Sequence, residues 1–209
     1  MSERSHPARL VVLVSGFGSN LQAVLDACAG QQLDAQVVAV ISNKTGVYGL
    51  ERARQAGIPA EVFSFHRGQD RRAEDALLAE AVAAYRPDWI LLAGWMRILT
   101  SGFLNRFPNR VINLHPALPG TFPGTHAIER ALSAFRNGEI DRTGVMVHLV
   151  PDEGVDCGPV LAVREVLIRA DDTLEALEAR VHAVEHDLLV NTLQELITQD
   201  GCKGGWKNA

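Results

Sequence analysis

The sequence predicts an α/β protein of the Rossmann-like kind: a mostly parallel sheet flanked by helices, with a β-hairpin-like extension and a long helix toward the C-terminus. Three observations carry this. Apolar runs of strand length alternate with segments of helical spacing over the first half of the chain. The first four runs, "RLVVLVS", "AQVVAVIS", "AEVFSF" and "DWILLAG", are continuous rather than alternating, as expected of strands buried on both faces. In the last third the pattern changes to two adjacent strand-like runs followed by one long amphipathic stretch.

The elements follow in order. The first strand (9–15) leads into a helix with Leu21, Val24, Leu25 and Cys28 at helical spacing. The second (35–42) precedes "YGLERARQAG", stopped by Gly57-Ile58-Pro59. The third (60–65) precedes a charged helix over 70–85, the fourth (88–94) another helical stretch, and "RVINLH" (110–115) is a fifth strand. Strands alternating with helices imply a parallel sheet. In the order 3-2-1-4-5, strands 1 and 4 meet at the topological switch point, so the loops after strands 1, 4 and 5 line one crevice. Runs 143–150 and 159–168 read as two strands joined by an exposed loop. Residues 171–197 read as a long helix, with Asp172 and Glu175 as a capping box and Leu174, Leu177, Val181, Val184 and Leu188 as its apolar stripe. The tail 201–209 loses periodicity and is expected to fray. With no internal repeat or low-complexity linker, the 209 residues form one domain.

Composition narrows the function classes. At 47% hydrophobic and 22% charged the chain is an ordinary soluble protein. No apolar stretch approaches the roughly 18 residues of a membrane span, and "MSERSHPAR", with charges of both signs, does not read as a signal peptide. A net charge of −5 argues against nucleic acid as the main partner. Cys28, Cys157 and Cys202, widely spaced and odd in number, suggest neither a zinc site nor a disulfide framework, which fits a reducing cytoplasm.

Two constellations carry chemistry. "SGFGSN" joins the first strand to its helix, but a dinucleotide fingerprint needs glycine where Leu21 stands and an acid where Asn43 stands. No Gly-Lys-Ser/Thr follows for a Walker loop. What remains is either a plain tight turn or a cradle for a single phosphate at a helix N-terminus. In "RVINLHPALPG", Asn113 and His115 share a face at the C-terminal end of a strand, offering an amide for an oxyanion and an imidazole for protons. Within "VPDEGVDCGPV", Asp152 and Glu153 read as solvated turn residues and Asp156 as held inward. Trp95, Met96, Ile98 and Leu99 read either as core or as the wall of a pocket for a flat heterocycle.

Taken together, "VVLVSGFGSNLQAVLDAC", "ISNKTGVYGLERARQAGIP", "ILLAGWMRIL", "NLHPALPGTFPGTHAIERAL" and "GVMVHLVPDEGVDCGPVL" resemble the folate-dependent phosphoribosylglycinamide formyltransferase family, from about residue 9 to 197. The resemblance implies formyl transfer from 10-formyltetrahydrofolate to glycinamide ribonucleotide in a cytoplasmic monomer or homodimer, with no metal. It divides the domain into a nucleotide-binding half (about 9–100) and a catalytic and folate-binding half (about 101–199). It implies that Gly18, Ser19, Asn20 and Glu185 hold the nucleotide, that Arg71, Met96, Arg97, Ile98, Leu99 and Asn113 hold the folate, and that Asn113, His115 and Asp156 are catalytic. Two departures from the family pattern stand out: the segment 148–156 is one residue longer, with Pro151 the insertion, and "HPALPG" replaces a Leu-Leu-Pro pattern. Ionised Asp156 is expected to raise the His115 pKa above about 6.5, in a cleft facing solvent. The alternatives are a formyltetrahydrofolate deformylase and a non-catalytic nucleotide-binding module.

Overall fold

The computed structural model describes residues 6–66 and 68–202; the end of the tail expected to fray lies outside them. Five strands, β1 (Ala8–Val14), β2 (Ala35–Ser42), β3 (Ala60–Val62), β4 (Trp89–Leu92) and β5 (Val111–His115), pair in parallel. Two more, β6 (Arg142–Leu149) and β7 (Val160–Leu167), add antiparallel at the β5 edge. The order is β3-β2-β1-β4-β5-β6-β7, so β1 and β4 are neighbours and the chain reverses direction there, as the alternation of elements predicts.

Side chains alternate across the central strands and feed two cores. Leu10, Val12 and Val14 pack with α1 (Ser19–Ala29), α2 (Tyr48–Gln55), α5 (Ala127–Arg136) and α6 (Leu174–Cys202). Val11 and Leu13 pack on the other face with α3 (Arg71–Ala83) and α4 (Ser101–Leu104). Because both faces of β1, β2 and β4 are covered, their runs are continuously apolar.

Four expectations change. β3 covers only 60–62 and is an exposed edge strand, since only β2 flanks it. The helical stretch expected after β4 is reduced to four residues, because 93–100 runs irregularly along the cleft. Helix α5 lies outside the expected elements, although Ile128, Ala131 and Leu132 have helical spacing and are buried. Asp172 does not cap α6: Thr173 does, its hydroxyl accepting from the Ala176 N–H at 3.2 Å. Asp172 instead accepts from the Arg169 N–H and pairs with Arg180 across the turn, so the capping box is absent.

Candidate active site

At the C-terminal edge of the parallel strands lies one cleft of about 900 Å³, bordered by the loops after β1, β4 and β5, the β6–β7 loop and the N-terminal half of α6. Every residue expected at a site lines it except Arg71.

The glycine turn is built by steric necessity. Gly18 precedes α1 with φ +77°, and a Cβ there would stand 2.8 Å from the Gly49 Cα. With glycine as N-cap there is no side-chain cap, so the first-turn amides of α1, from Ser19 and Asn20, are left for a ligand or water. Asn20 Oδ1 is buried without a hydrogen-bond partner. Asn43, at the position of the dinucleotide acid, accepts from Ser15 Oγ at 2.6 Å, while Ser15 Oγ accepts from the Met96 N–H at 2.8 Å. That pair ties the switch point together.

The catalytic candidates converge on Asp156. Asn113 and His115 project from the same side of β5, and the β5–β6 register sets His148 opposite Asn113. Asp156 reaches them from the β6–β7 loop with φ +52°, a conformation aspartate tolerates better than most residues. One carboxylate oxygen accepts from Asn113 Nδ2 at 3.0 Å and lies 3.6 Å from His148 Nε2. The other accepts from the Gly124 N–H at 2.8 Å and lies 3.3 Å from His115 Nδ1. Asp152 instead accepts from the Gly154 N–H within its own turn. The longer loop therefore delivers Asp156, not Asp152, to His115. Glu153 is not merely solvated: it accepts from the Ser101 N–H at 2.9 Å, latching this loop to the start of α4.

The electrostatics correct one expectation. His115 is buried, at 4% exposure, and burial drives its pKa below 6.5 despite the upward pull of Asp156 and of the Phe122 carbonyl oxygen, 3.1 Å from Nε2. The imidazole is thus neutral near pH 7. Burial also opposes the Asp156 charge, but His148, the Gly124 N–H and His115 outweigh it and keep the carboxyl below its ordinary range.

The apolar end of the cleft is walled by Met96, Ile98, Leu99 and Val155, of which Met96 is 61% exposed. Arg97 borders it, but its guanidinium lies 3.4 Å from both Glu74 and Asp75 on α3 and stacks on Phe65 at 3.6 Å. Asp75 also accepts from the Thr100 N–H at 2.8 Å. These buried carboxylates pin the irregular 95–100 segment. Arg71 stands behind the wall, donating to the Ile98 carbonyl at 2.9 Å. The loop after β5 seats through Leu118, whose side chain occupies the space where a Cβ on Gly144 would lie.

At the glycine-turn end, buried Glu185 accepts from His182 at 2.6 Å, a contact that raises the His182 pKa. The sequence reading missed His182 and His148. For His148 a signal existed: it is the lone histidine in an otherwise apolar strand, "TGVMVHLV". Among the described residues no cluster of three or more His, Cys, Asp or Glu side chains is placed to hold a metal ion.

A switch-point cleft with an open helix N-terminus at one end, an Asn-His-Asp cluster in the middle and an apolar wall at the other has the arrangement of an α/β small-molecule site with a proton-moving group at its centre. Residues 8–193 match the formyl transferase family, and the chain belongs to it. It is 45% identical over 205 residues to a phosphoribosylglycinamide formyltransferase of Schizosaccharomyces pombe (92% of this chain, 99% of that protein). To the phosphoribosylglycinamide formyltransferase of Escherichia coli it is 42% identical over 177 residues (85% and 81%). The fold superposes on glycinamide ribonucleotide transformylase 1 from Symbiobacterium toebii with TM-score 0.87 and 39% identity, covering 94% of this chain and 90% of that one.

Proposed function

We propose that this cleft transfers the formyl group of 10-formyltetrahydrofolate to the amine of glycinamide ribonucleotide, as a phosphoribosylglycinamide formyltransferase of purine biosynthesis. The observation that carries the reading is the continuity of the cleft: the open α1 N-terminus and Glu185, the Asn113–His115–Asp156 cluster and the apolar wall border one cavity. Gly18, Ser19 and Asn20 take the phosphate and Glu185 the ribose. Met96, Ile98 and Leu99 wall the folate ring, with Arg71 and Arg97 supporting that wall.

His115, neutral in its buried position, accepts a proton from the substrate amine as that nitrogen bonds to the formyl carbon. The resulting imidazolium is stabilised by the Asp156 charge 3.3 Å from Nδ1 and by the Phe122 carbonyl oxygen 3.1 Å from Nε2. Asn113 holds its amide nitrogen 3.1 Å from His148 Nε2 and 3.0 Å from Asp156. Turning one N–H from His148 toward the formyl oxygen stabilises the electron pair displaced onto it. His115 then returns the proton to the folate nitrogen that leaves.

The partners are small molecules rather than nucleic acid or a membrane, and the protein works in the cytoplasm as a monomer or homodimer. No helix among the described residues is long and apolar enough to cross a membrane. Following folate absorbance with and without glycinamide ribonucleotide tests the function. Turnover that requires the nucleotide supports transfer, and turnover regardless of it identifies a deformylase.

A further inference from the structure

The glycine turn is gripped from outside the cleft. Arg52 on α2 donates from Nε to the Phe17 carbonyl oxygen at 3.0 Å and from Nη1 to Gln22 Oε1 at 2.9 Å. Its guanidinium carbon stands 4.5 Å from the Phe17 ring centroid and 4.7 Å from that of Tyr48, and the two rings stack at 5.2 Å. Both residues are exposed, Phe17 at 65% and Tyr48 at 46%.

Peptide geometry gives it a purpose. In a planar trans peptide the carbonyl and the following N–H point in opposite directions. Tying the Phe17 carbonyl outward to Arg52 therefore turns the Gly18 N–H the other way, away from α2. The second prong holds Gln22, whose N–H donates to the Gly18 carbonyl at 3.0 Å, so the turn and the first turn of α1 are fixed relative to each other. The backbone contact between Gly49 N–H and Gly16 O, at 3.0 Å, braces the same turn. Arg52 also borders a second cavity of about 310 Å³ that shares Ser19 with the cleft.

We infer that Arg52 is a positioning residue for phosphate recognition: it aims the amides of the glycine turn at the nucleotide's phosphate and adds positive charge behind them. This rests on the proposed function, which assigns a phosphate to that end of the cleft.

The test is steady-state kinetics with both substrates varied, alongside calorimetry with ribose 5-phosphate. Arg52→Met keeps a long chain against the rings but removes charge and donors. It should raise the KM for the nucleotide about tenfold or more, the span of charge-assisted hydrogen bonds, with kcat and the folate KM little changed. Arg52→Lys, which keeps the charge without the fork, should fall between wild type and Arg52→Met. An unchanged nucleotide KM overturns the inference. So does a parallel rise in both KM values with a lowered melting temperature, which marks simple fold support. If Arg52→Met does not fold, Gln22→Met removes only one prong and should still raise the nucleotide KM about threefold; no rise overturns the inference. A wild-type protein that binds ribose 5-phosphate but transfers no formyl group sinks the proposed function alone. If that binding is then lost in Arg52→Met, the role of Arg52 stands.

Discussion

His115 sets Nε2 3.1 Å from the Phe122 carbonyl oxygen and Nδ1 3.3 Å from the Asp156 carboxylate, and it carries only one proton when neutral. Burial resists proton uptake and the Asp156 charge favours it; burial prevails and holds the pKa below 6.5. His115→Ala should lower turnover by roughly two to four orders of magnitude, the span of a lost acid–base group, with the fold retained by circular dichroism. The Asp156 charge pulls the His115 pKa up, so Asp156→Asn should lower it further and cut kcat sharply. Asp152→Asn, confined to its own turn, should change neither. Ring titration by NMR in the two variants separates them; a lowered pKa in Asp152→Asn alone would reassign the acid. Because the neutral imidazole is the working form, turnover should fall on the acid side, through a His115 pKa below 6.5.

At the scale of elements, the site depends on segments with little secondary structure of their own. The 95–100 segment is held by Asp75 and Glu74 on α3, and the β6–β7 loop by Glu153 on α4. Glu153→Ala frees that loop, which carries Val155 of the cleft's apolar wall. It should raise the folate KM more than the nucleotide KM, and equal effects on both would remove the latch from this role. Thr173→Ala removes the α6 cap and should cost about 1 kcal/mol of stability with kcat unchanged, as read by denaturant unfolding and assay. The N-cap falls one residue later than the sequence suggests because Asp172 and Thr173 are both capping types. Only the turn packed against Arg180 shows that Asp172 is already engaged.

At the scale of the whole molecule, burial of histidines makes acid a stress. His115 and His186 are held below their ordinary value of 6.5, chiefly by burial. Their folded pKa lies under the unfolded one, so the neutral forms favour folding above about 6.5, and stability is lost as the pH falls toward the folded pKa. His182 has the opposite sign: raised by Glu185, its contribution is present below 6.5 and lost as pH rises through its folded pKa. The His115 contribution should lower the melting temperature as the pH falls from about 6.5 toward its folded pKa. In His115→Gln that slope should be shallower; an unchanged slope would place the acid sensitivity elsewhere.

The strand–helix alternation, the two-faced burial of β1, β2 and β4, the glycine turn and the pairing of Asn113 with His115 on one face were all legible in the sequence. Each is a local property, set by side-chain periodicity or by a backbone only glycine accepts. The local loop pattern singled out Asp156 as held inward, and the resemblance over residues 9–197 added its catalytic role and pointed to Glu185, which no local pattern singles out. Tertiary structure alone decided the rest. It brought His148 opposite Asn113 through strand register, committed Arg97 to α3, set Glu153 on Ser101, and put Arg52 behind the turn. It also reversed the direction of the His115 pKa. A charge pair can be guessed from residue types, but the cost of burying the imidazole depends on how closely the loops after β5 and β6 cover it, and only packing sets that.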